Sequence, residues 1–357
     1  MREMTPRERV LTALAHEQPD QVPKTAGFTP HLYEVFRERT GATDPYEYFR
    51  IEIRGVGFKG PKEIPDFSVY FDEPLPPNAS VNEYGMANVP GGFYHFTRRL
   101  YPIKGFSSIR QLEEYPWPDF TPGYRHEHLE EAVRQLHERD LFVYGGVGHI
   151  FEIAWQMRSM ERLFLDFIEN QEFAEMLLDR ITQDRAFMAR RYAEAGVDML
   201  LIGDDVGMQD RLMMSPQMWR KWLKPRLAKV IQAGKEVNPE VHIYYHSDGK
   251  IEEIIPDLIE VGVDILNPVQ PECMDPVKLK RLYGDKLTFW GTIGTQTTMP
   301  FGTPQEVKRV VHERVRTVGK GGGLVLAPTH VLEPDVPWEN VIAFFEAVEE
   351  TRRYYGG

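Results

Sequence analysis

Eight apolar segments of strand length are spaced along the 357 residues. Stretches with helical periodicity separate the later ones, and four of the eight end in titratable or amide side chains. Together these features predict an α/β fold, a (β/α)8 TIM barrel. Strands alternating with helices close into a parallel sheet, and barrels of this kind carry their chemistry at the C-terminal ends of the strands.

The first two strand segments are "VPKTAGF" (22–28) and "IEIRGVGF" (51–58). The rhythm then breaks between about Pro61 and Pro122, where "DEPLPPNASVNEYG" and "YPWPDFTPGY" are rich in Pro, Gly and Asn. This stretch, 61–122, reads as an insertion with a hairpin of its own, placed to lid the site, within one barrel domain spanning 1–357. The remaining strands are "LFVYGGVG" (141–148), "VDMLLIGDD" (197–205), "VHIYYHSD" (241–248), "VDILNPV" (263–269), "LTFWGTI" (287–293) and "GLVLAPT" (323–329). Two helices between them are well marked. "SPQMWRKWLKPRLAKVIQAGKEV" starts at a Ser cap. "TPQEVKRVVHERVRTVGKGGG" offers Thr303, Pro304 and Glu306 as cap, first-turn proline and capping-box acid, and it ends on glycines.

Composition narrows the function classes. With 42% hydrophobic and 27% charged residues the chain can bury a large core. A net charge of -12 without clustered Lys and Arg argues against nucleic acid as a partner. One cysteine, Cys273, excludes an intrachain disulfide and fits a reducing compartment. The N-terminus lacks the apolar core of a signal peptide, and no run approaches the roughly 18 apolar residues of a membrane helix. A cytoplasmic protein with no membrane association is expected.

The strand ends name the candidate site. "LLIGDD" delivers Asp204 and Asp205, "YYHSD" delivers His246 and Asp248, "ILNP" delivers Asn267, and "VLAPTH" delivers Thr329 and His330. Side chains two apart on a strand share a face, so His246 and Asp248 can reach one point. With His330 from a later strand they make a set of three N/O ligands for Zn²⁺ with one position open. A structural reading stands beside it, in which His246 is a hydrogen-bonded imidazole and Asp248 caps the next helix. Adjacent Asp204 and Asp205 cannot both point inward, so one of them bonds backbone. Glu152, after the Gly-rich strand end, is either an acid in the mouth or an exposed residue of a first helical turn. Trp155 is either core or a stacking surface.

The chain as a whole resembles the uroporphyrinogen decarboxylase superfamily, a (β/α)8 barrel group that includes the decarboxylase of haem synthesis and the cobamide-dependent methyltransferases. The resemblance rests on "TPRERVLTALAHEQPDQVP", "GDDVGMQDRLMMSPQMWRKWLKPRL", "YHSDGKIEEIIPDLIEVGVDILNPVQ", "FWGTIGTQTTMPFGTPQEV" and "GGGLVLAPTHVLEPDVPWENV". The decarboxylase branch carries an R-Q-A-G-R-Y type segment after the first strand, whose guanidinium groups grip substrate carboxylates. Here that position reads "VPKTAGFTPHLYEV", without arginine; Arg50, Arg54 and Arg158 are the alternatives near the mouth. The methyltransferase branch places zinc on an H-x-C element and a later Cys. At the matching positions stand His246, Asp248 and His330, a harder N/O set less suited to holding a thiolate.

Sequences of this N/O type look like the first methyltransferases of O-demethylase systems. The resemblance thus implies transfer of a methyl group from a small methoxylated aromatic substrate to the Co(I) of a corrinoid. No D-x-H-x-x-G element of the kind that seats a corrinoid occurs, so cobalamin would arrive on a separate corrinoid protein. In this reading Asp204 or Asp205 orients a ligand imidazole or the substrate, and Glu152 or Tyr244 serves as acid or hydrogen-bond donor. Trp155, Asn267 and Trp290, with Phe289, contact the substrate, and a homodimer is implied. Two other classes stay open: decarboxylation of a porphyrinogen in tetrapyrrole biosynthesis, and a barrel that binds without catalysis.

Overall fold

The computed structural model describes residues 3–91 and 97–352. Its strands in chain order are β1 (Ile53–Val56), β2 (Ser80–Val81), β3 (Ala87–Pro90), β4 (Thr97–Leu100), β5 (Phe142–Gly148), β6 (Met199–Gly203), β7 (His242–His246), β8 (Ile265–Asn267), β9 (Thr288–Ile293) and β10 (Leu324–Pro328). Seven of them form one curled parallel sheet in the order β1-β5-β6-β7-β8-β9-β10, with helices between them, and this is the barrel. Every residue of β9 and β10 is buried. That is the pattern of strands covered on both faces, and it explains why the barrel strands read as near-continuous apolar runs.

The segment 22–28 is the eighth stave, but it is not a regular strand. It runs beside β10 through parallel bridges at Lys24–Leu326 and Phe28–Leu332, with Thr25 N–H donating to the Leu326 carbonyl and Leu326 N–H to that of Pro23, both at 2.9 Å. On its other side a side chain links it to β1. Glu52 is 1% exposed; it accepts from the Lys24 N–H at 3.2 Å and pairs with Lys24 Nζ at 3.6 Å and Arg9 Nη1 at 3.2 Å.

The helix expected over 215–237 is two helices, Pro216–Trp222 and Lys224–Lys235. Pro225 explains the break: it has no N–H for the ladder and its ring collides with the preceding turn. Ser215 caps the first of them, accepting from Met218 N–H at 3.1 Å. The Thr303–Glu306 capping box forms as expected.

Within 61–122, β2, β3 and β4 make a three-stranded antiparallel sheet rather than a lone hairpin. It is tied to the barrel's helices. The Arg99 guanidinium lies 4.7 Å over the Trp155 ring. Tyr84 donates to the buried Asp184 at 2.9 Å, and its hydroxyl accepts from Arg185 at 2.6 Å.

Candidate functional site

β6 and β7 pair in register so that Gly203 lies opposite His246. A Cβ at Gly203 would stand 2.4 Å from the His246 carbonyl oxygen and 2.7 Å from its Cβ, so only glycine allows the two strands to approach here. The chain then turns out of the sheet on both strands, and the polar residues that follow meet at the mouth.

His246, Asp205 and Asp248 converge: each offers a ligand atom, and these lie within 4.8 Å of one another. His246 Nε2 is 3.5 Å from Asp205 Oδ1, and Asp205 Oδ1 also accepts from the Asp248 N–H at 2.7 Å. Asp248 Oδ1 is buried without a hydrogen-bond partner. Asp248 does not cap the next helical turn, which begins at Glu252. Burial, with the nearby Asp205 and Glu152 charges, pushes the Asp248 carboxyl above its usual range, against the pull of His246 and His330. Burial alone would depress His246; the charges of Asp248 and Asp205 and the bond to Asn267 outweigh it and hold the imidazole above its usual value.

Asp204 and Asp205 divide their work. Asp204 is buried and accepts from the N–H groups of Ile150 and Glu152, both at 3.0 Å. These donors open the helix Phe151–Arg158, whose own N-cap residue Ile150 supplies no side-chain acceptor, so the cap comes from the next strand. Burial, and then the Glu152 charge, push Asp204 well above the ordinary carboxyl range. Asp205 points to the His246 group instead.

Glu152 stands at that helix start with its Oε1 3.0 Å from His149 Nδ1 and 3.2 Å from the Asp205 N–H it accepts. His149, Glu152 and Asp204 form a second group whose ligand atoms fall within 4.8 Å. His149 was not among the residues singled out from the sequence. Its signal was an imidazole immediately after a strand end and three residues before Glu152.

His330 belongs to neither group of three. It lines a cavity of about 250 Å³ that Asp248, Gln270, Thr295 and Glu333 also line, close enough to Asp248 for its charge to pull on that carboxyl. Asn267 is 7% exposed, and its side chain is engaged by His246 and the Trp290 carbonyl. Tyr244 and Trp290 are buried, their rings edge to face with centroids 5.3 Å apart. Burial lifts the Tyr244 hydroxyl well above its usual range. Trp155 is half-buried beneath Arg99, with its indole nitrogen lacking a hydrogen-bond partner.

The chain is similar to the methylcobamide:CoM methyltransferase MtaA of Methanosarcina barkeri, 27% identical over 223 residues, which are 62% of each chain. It is also similar to uroporphyrinogen decarboxylases: that of Legionella pneumophila strain Corby at 24% over 230 residues, 62% of each chain, and a chloroplastic one of Arabidopsis thaliana at 21% over 330 residues, 90% of this chain and 77% of that one. The first of these relatives are thus matched over less than two thirds of their own length. A solved methyltransferase from Methanosarcina mazei shares the fold, with a TM-score of 0.64 at 22% identity over 98% of this chain and 99% of that one. Among the described residues no helix is long and apolar enough to cross a membrane. The family model described as "Uroporphyrinogen decarboxylase (URO-D)" matches residues 101–351, which take in β5 through β10 and every site residue named above, and the chain belongs to that family.

Proposed function

We propose that this chain is a corrinoid-dependent methyltransferase that takes the methyl group of a small methoxylated aromatic substrate and passes it to a corrinoid carried by a separate protein. Zn²⁺ would be held by His246 and Asp248, with Asp205 beside them and His330 reaching from the cavity wall. The observation that carries the reading is the convergence of Asp205, His246 and Asp248 within 4.8 Å, together with a carboxylate oxygen of Asp248 that is buried and unbonded. A buried acceptor without a donor is costly unless a cation or proton meets it. An imidazole with two carboxylates is a donor set that suits zinc.

Demethylation of an aryl ether expels a phenolate-like oxygen, a poor leaving group until its developing charge is met. Bound zinc would supply Lewis acidity at its open position. The chain's own residues do the rest. Asp205 and Asp248 set the charge around His246, Asp204 fixes the helix start that carries Glu152, and Glu152 stands 3.0 Å from His149 to hold or pass a proton.

The similarity to uroporphyrinogen decarboxylases supports decarboxylation of a porphyrinogen as the second reading. Two of its arginine candidates are already engaged. Arg158 bonds Asp166 and three backbone carbonyls. Arg54 bonds Glu47 and the carbonyls of Ile51 and Ile53. A substrate rich in carboxylates needs free cations.

Elemental analysis of protein purified without chelator, followed by a methoxyarene screen against a Co(I) corrinoid protein, tests the proposal. Stoichiometric zinc lost in His246→Ala, and methylation of the cobalt seen by absorbance, are expected. Metal-free protein that converts uroporphyrinogen would overturn it.

A further inference from the structure

We infer that Asn267 is a positioning residue that fixes the tautomer of His246, so that Nε2 presents its lone pair to Asp205 and Asp248. The inference deepens the proposed function, since it assigns how the metal-ligating imidazole would be aimed.

The β7–β8 register sets His246 opposite Asn267 at the C-terminal end of the sheet. The ladder between β8 and β9 ends at Leu266–Phe289. The residue after Asn267 is Pro268, which has no N–H to continue it. The Trp290 carbonyl beyond that point is met by Asn267 Nδ2 at 2.8 Å. This bond decides the orientation of the amide: a carbonyl accepts only from the NH₂, so the amide oxygen faces the other way. It faces His246 Nδ1, at 2.5 Å. An amide oxygen accepts and cannot donate, so Nδ1 carries the hydrogen, and in the neutral imidazole Nε2 is the bare nitrogen. Nε2 is the atom that lies 3.5 Å from Asp205 Oδ1. Asn267 is buried, so water does not compete for either bond.

The test compares Asn267→Leu with Asn267→Asp. Both keep the shape of the side chain and both lose the bond to Trp290, but only Asp keeps an acceptor for His246 Nδ1. Long-range ¹H–¹⁵N spectra of the metal-free proteins, taken well above the pH range of imidazole protonation, report the tautomer directly. The Nδ1–H form is expected for His246 in the wild type and in Asn267→Asp, and the Nε2–H form or a mixture in Asn267→Leu. An Nε2–H form in the wild type, or an unchanged Nδ1–H form in Asn267→Leu, overturns the assignment. Co²⁺ titration followed by visible absorption is the second readout, with an expected loss of about 10–100-fold in affinity for Asn267→Leu and recovery in Asn267→Asp. If the tautomers follow expectation while no variant binds Co²⁺, the positioning role stands and the metal reading fails.

Discussion

Replacing Asp204 by Ala and by Asn separates a structural carboxylate from a catalytic one. The side chain is 6% exposed and accepts from two helix-opening N–H groups at 3.0 Å. Ala leaves both donors without an acceptor. Each buried unpaired donor costs about 1–3 kcal/mol, and a total of about 2–4 kcal/mol is expected because a loosened helix end admits some water. Unfolding entropy of about 2.1 cal/mol/K per residue over 357 residues converts 1 kcal/mol to about 1.3 °C, so Asp204→Ala should melt about 3–5 °C below the wild type. Asn keeps an acceptor oxygen and cannot ionise opposite Glu152, so its melting point should lie within about 1.5 °C of the wild type.

The same pair carries a pH dependence of known sign. Burial and Glu152 hold Asp204 above its ordinary value in the folded chain, so the folded state keeps a proton that the unfolded state has released. Stability contributed by this group is therefore lost as pH rises from about 4 toward the raised value. The amide introduced by Asp204→Asn cannot titrate. The wild type should lose ground to Asp204→Asn across that window and be level with it below about pH 3. Scanning calorimetry of the three proteins at a series of pH values measures both effects. Equal melting points for the Ala and Asn variants, or a wild type that gains on Asn with rising pH, would refute the capping argument. Retained methyl transfer by Asp204→Asn is expected, because the catalytic geometry needs the cap and not the charge.

Gly203→Ala should strain β6 against β7, at about 1–3 kcal/mol for an overpacked methyl, and weaken Co²⁺ binding by displacing His246. Gly146→Ala, whose Cβ meets nothing within 4 Å, should leave both unchanged, and absorption titration of the two variants checks the contrast. Glu52→Ala should lower the melting point by about 4–7 °C, from the roughly 3–5 kcal/mol cost of breaking a buried ion pair. Lys24 keeps its ion pair with Glu349, and Arg9 keeps Asp20 and the Met4 carbonyl. Glu52→Gln, which still accepts from the Lys24 N–H, should lose less in the same calorimetric assay. Asp248→Asn should abolish stoichiometric zinc in elemental analysis while leaving the melting point of the metal-free protein unchanged or higher.

The barrel was legible because its signal is local and repeated: apolar runs of strand length, separated by capped helices, recur along the chain. Where the sequence misled, one or two prolines and glycines were responsible. Pro225 cuts one long amphipathic pattern into two helices, and Pro23 with Gly27 leaves the first stave as bridges instead of a strand. At the site, strand-end position was enough to nominate Asp204, Asp205, His246 and Asp248. It could not divide the adjacent aspartates, because which one turns toward the helix Phe151–Arg158 depends on a helix that precedes them by some 50 residues. Nor could it give Asn267 its partner, since that bond rests on cross-strand register and on Pro268 withholding an N–H. His330 was nominated by its strand end, but side-chain reach across a cavity is not written in spacing.

Charge balance at the mouth leads to a last expectation. Asp205, Asp248 and Glu152 gather near His246, and among the described residues no Lys or Arg ion pair reaches any of these three carboxylates. Burial and then the neighbouring carboxylates hold Asp248 above its ordinary value, and the carboxylates with Asn267 hold His246 above its own against burial. A raised carboxyl weakens the metal-free fold as pH rises above about 4, and the stability from a raised imidazole, full below about 6.5, is lost as pH climbs through its folded value. Both push the same way, so the metal-free protein should lose stability toward alkaline pH. A divalent cation competes with those protons for the same lone pairs. Its apparent affinity should climb over the same window, and its binding should release protons. Calorimetric titration in buffers of different ionisation enthalpy counts them; binding that releases none at neutral pH would mean that the cation sits elsewhere.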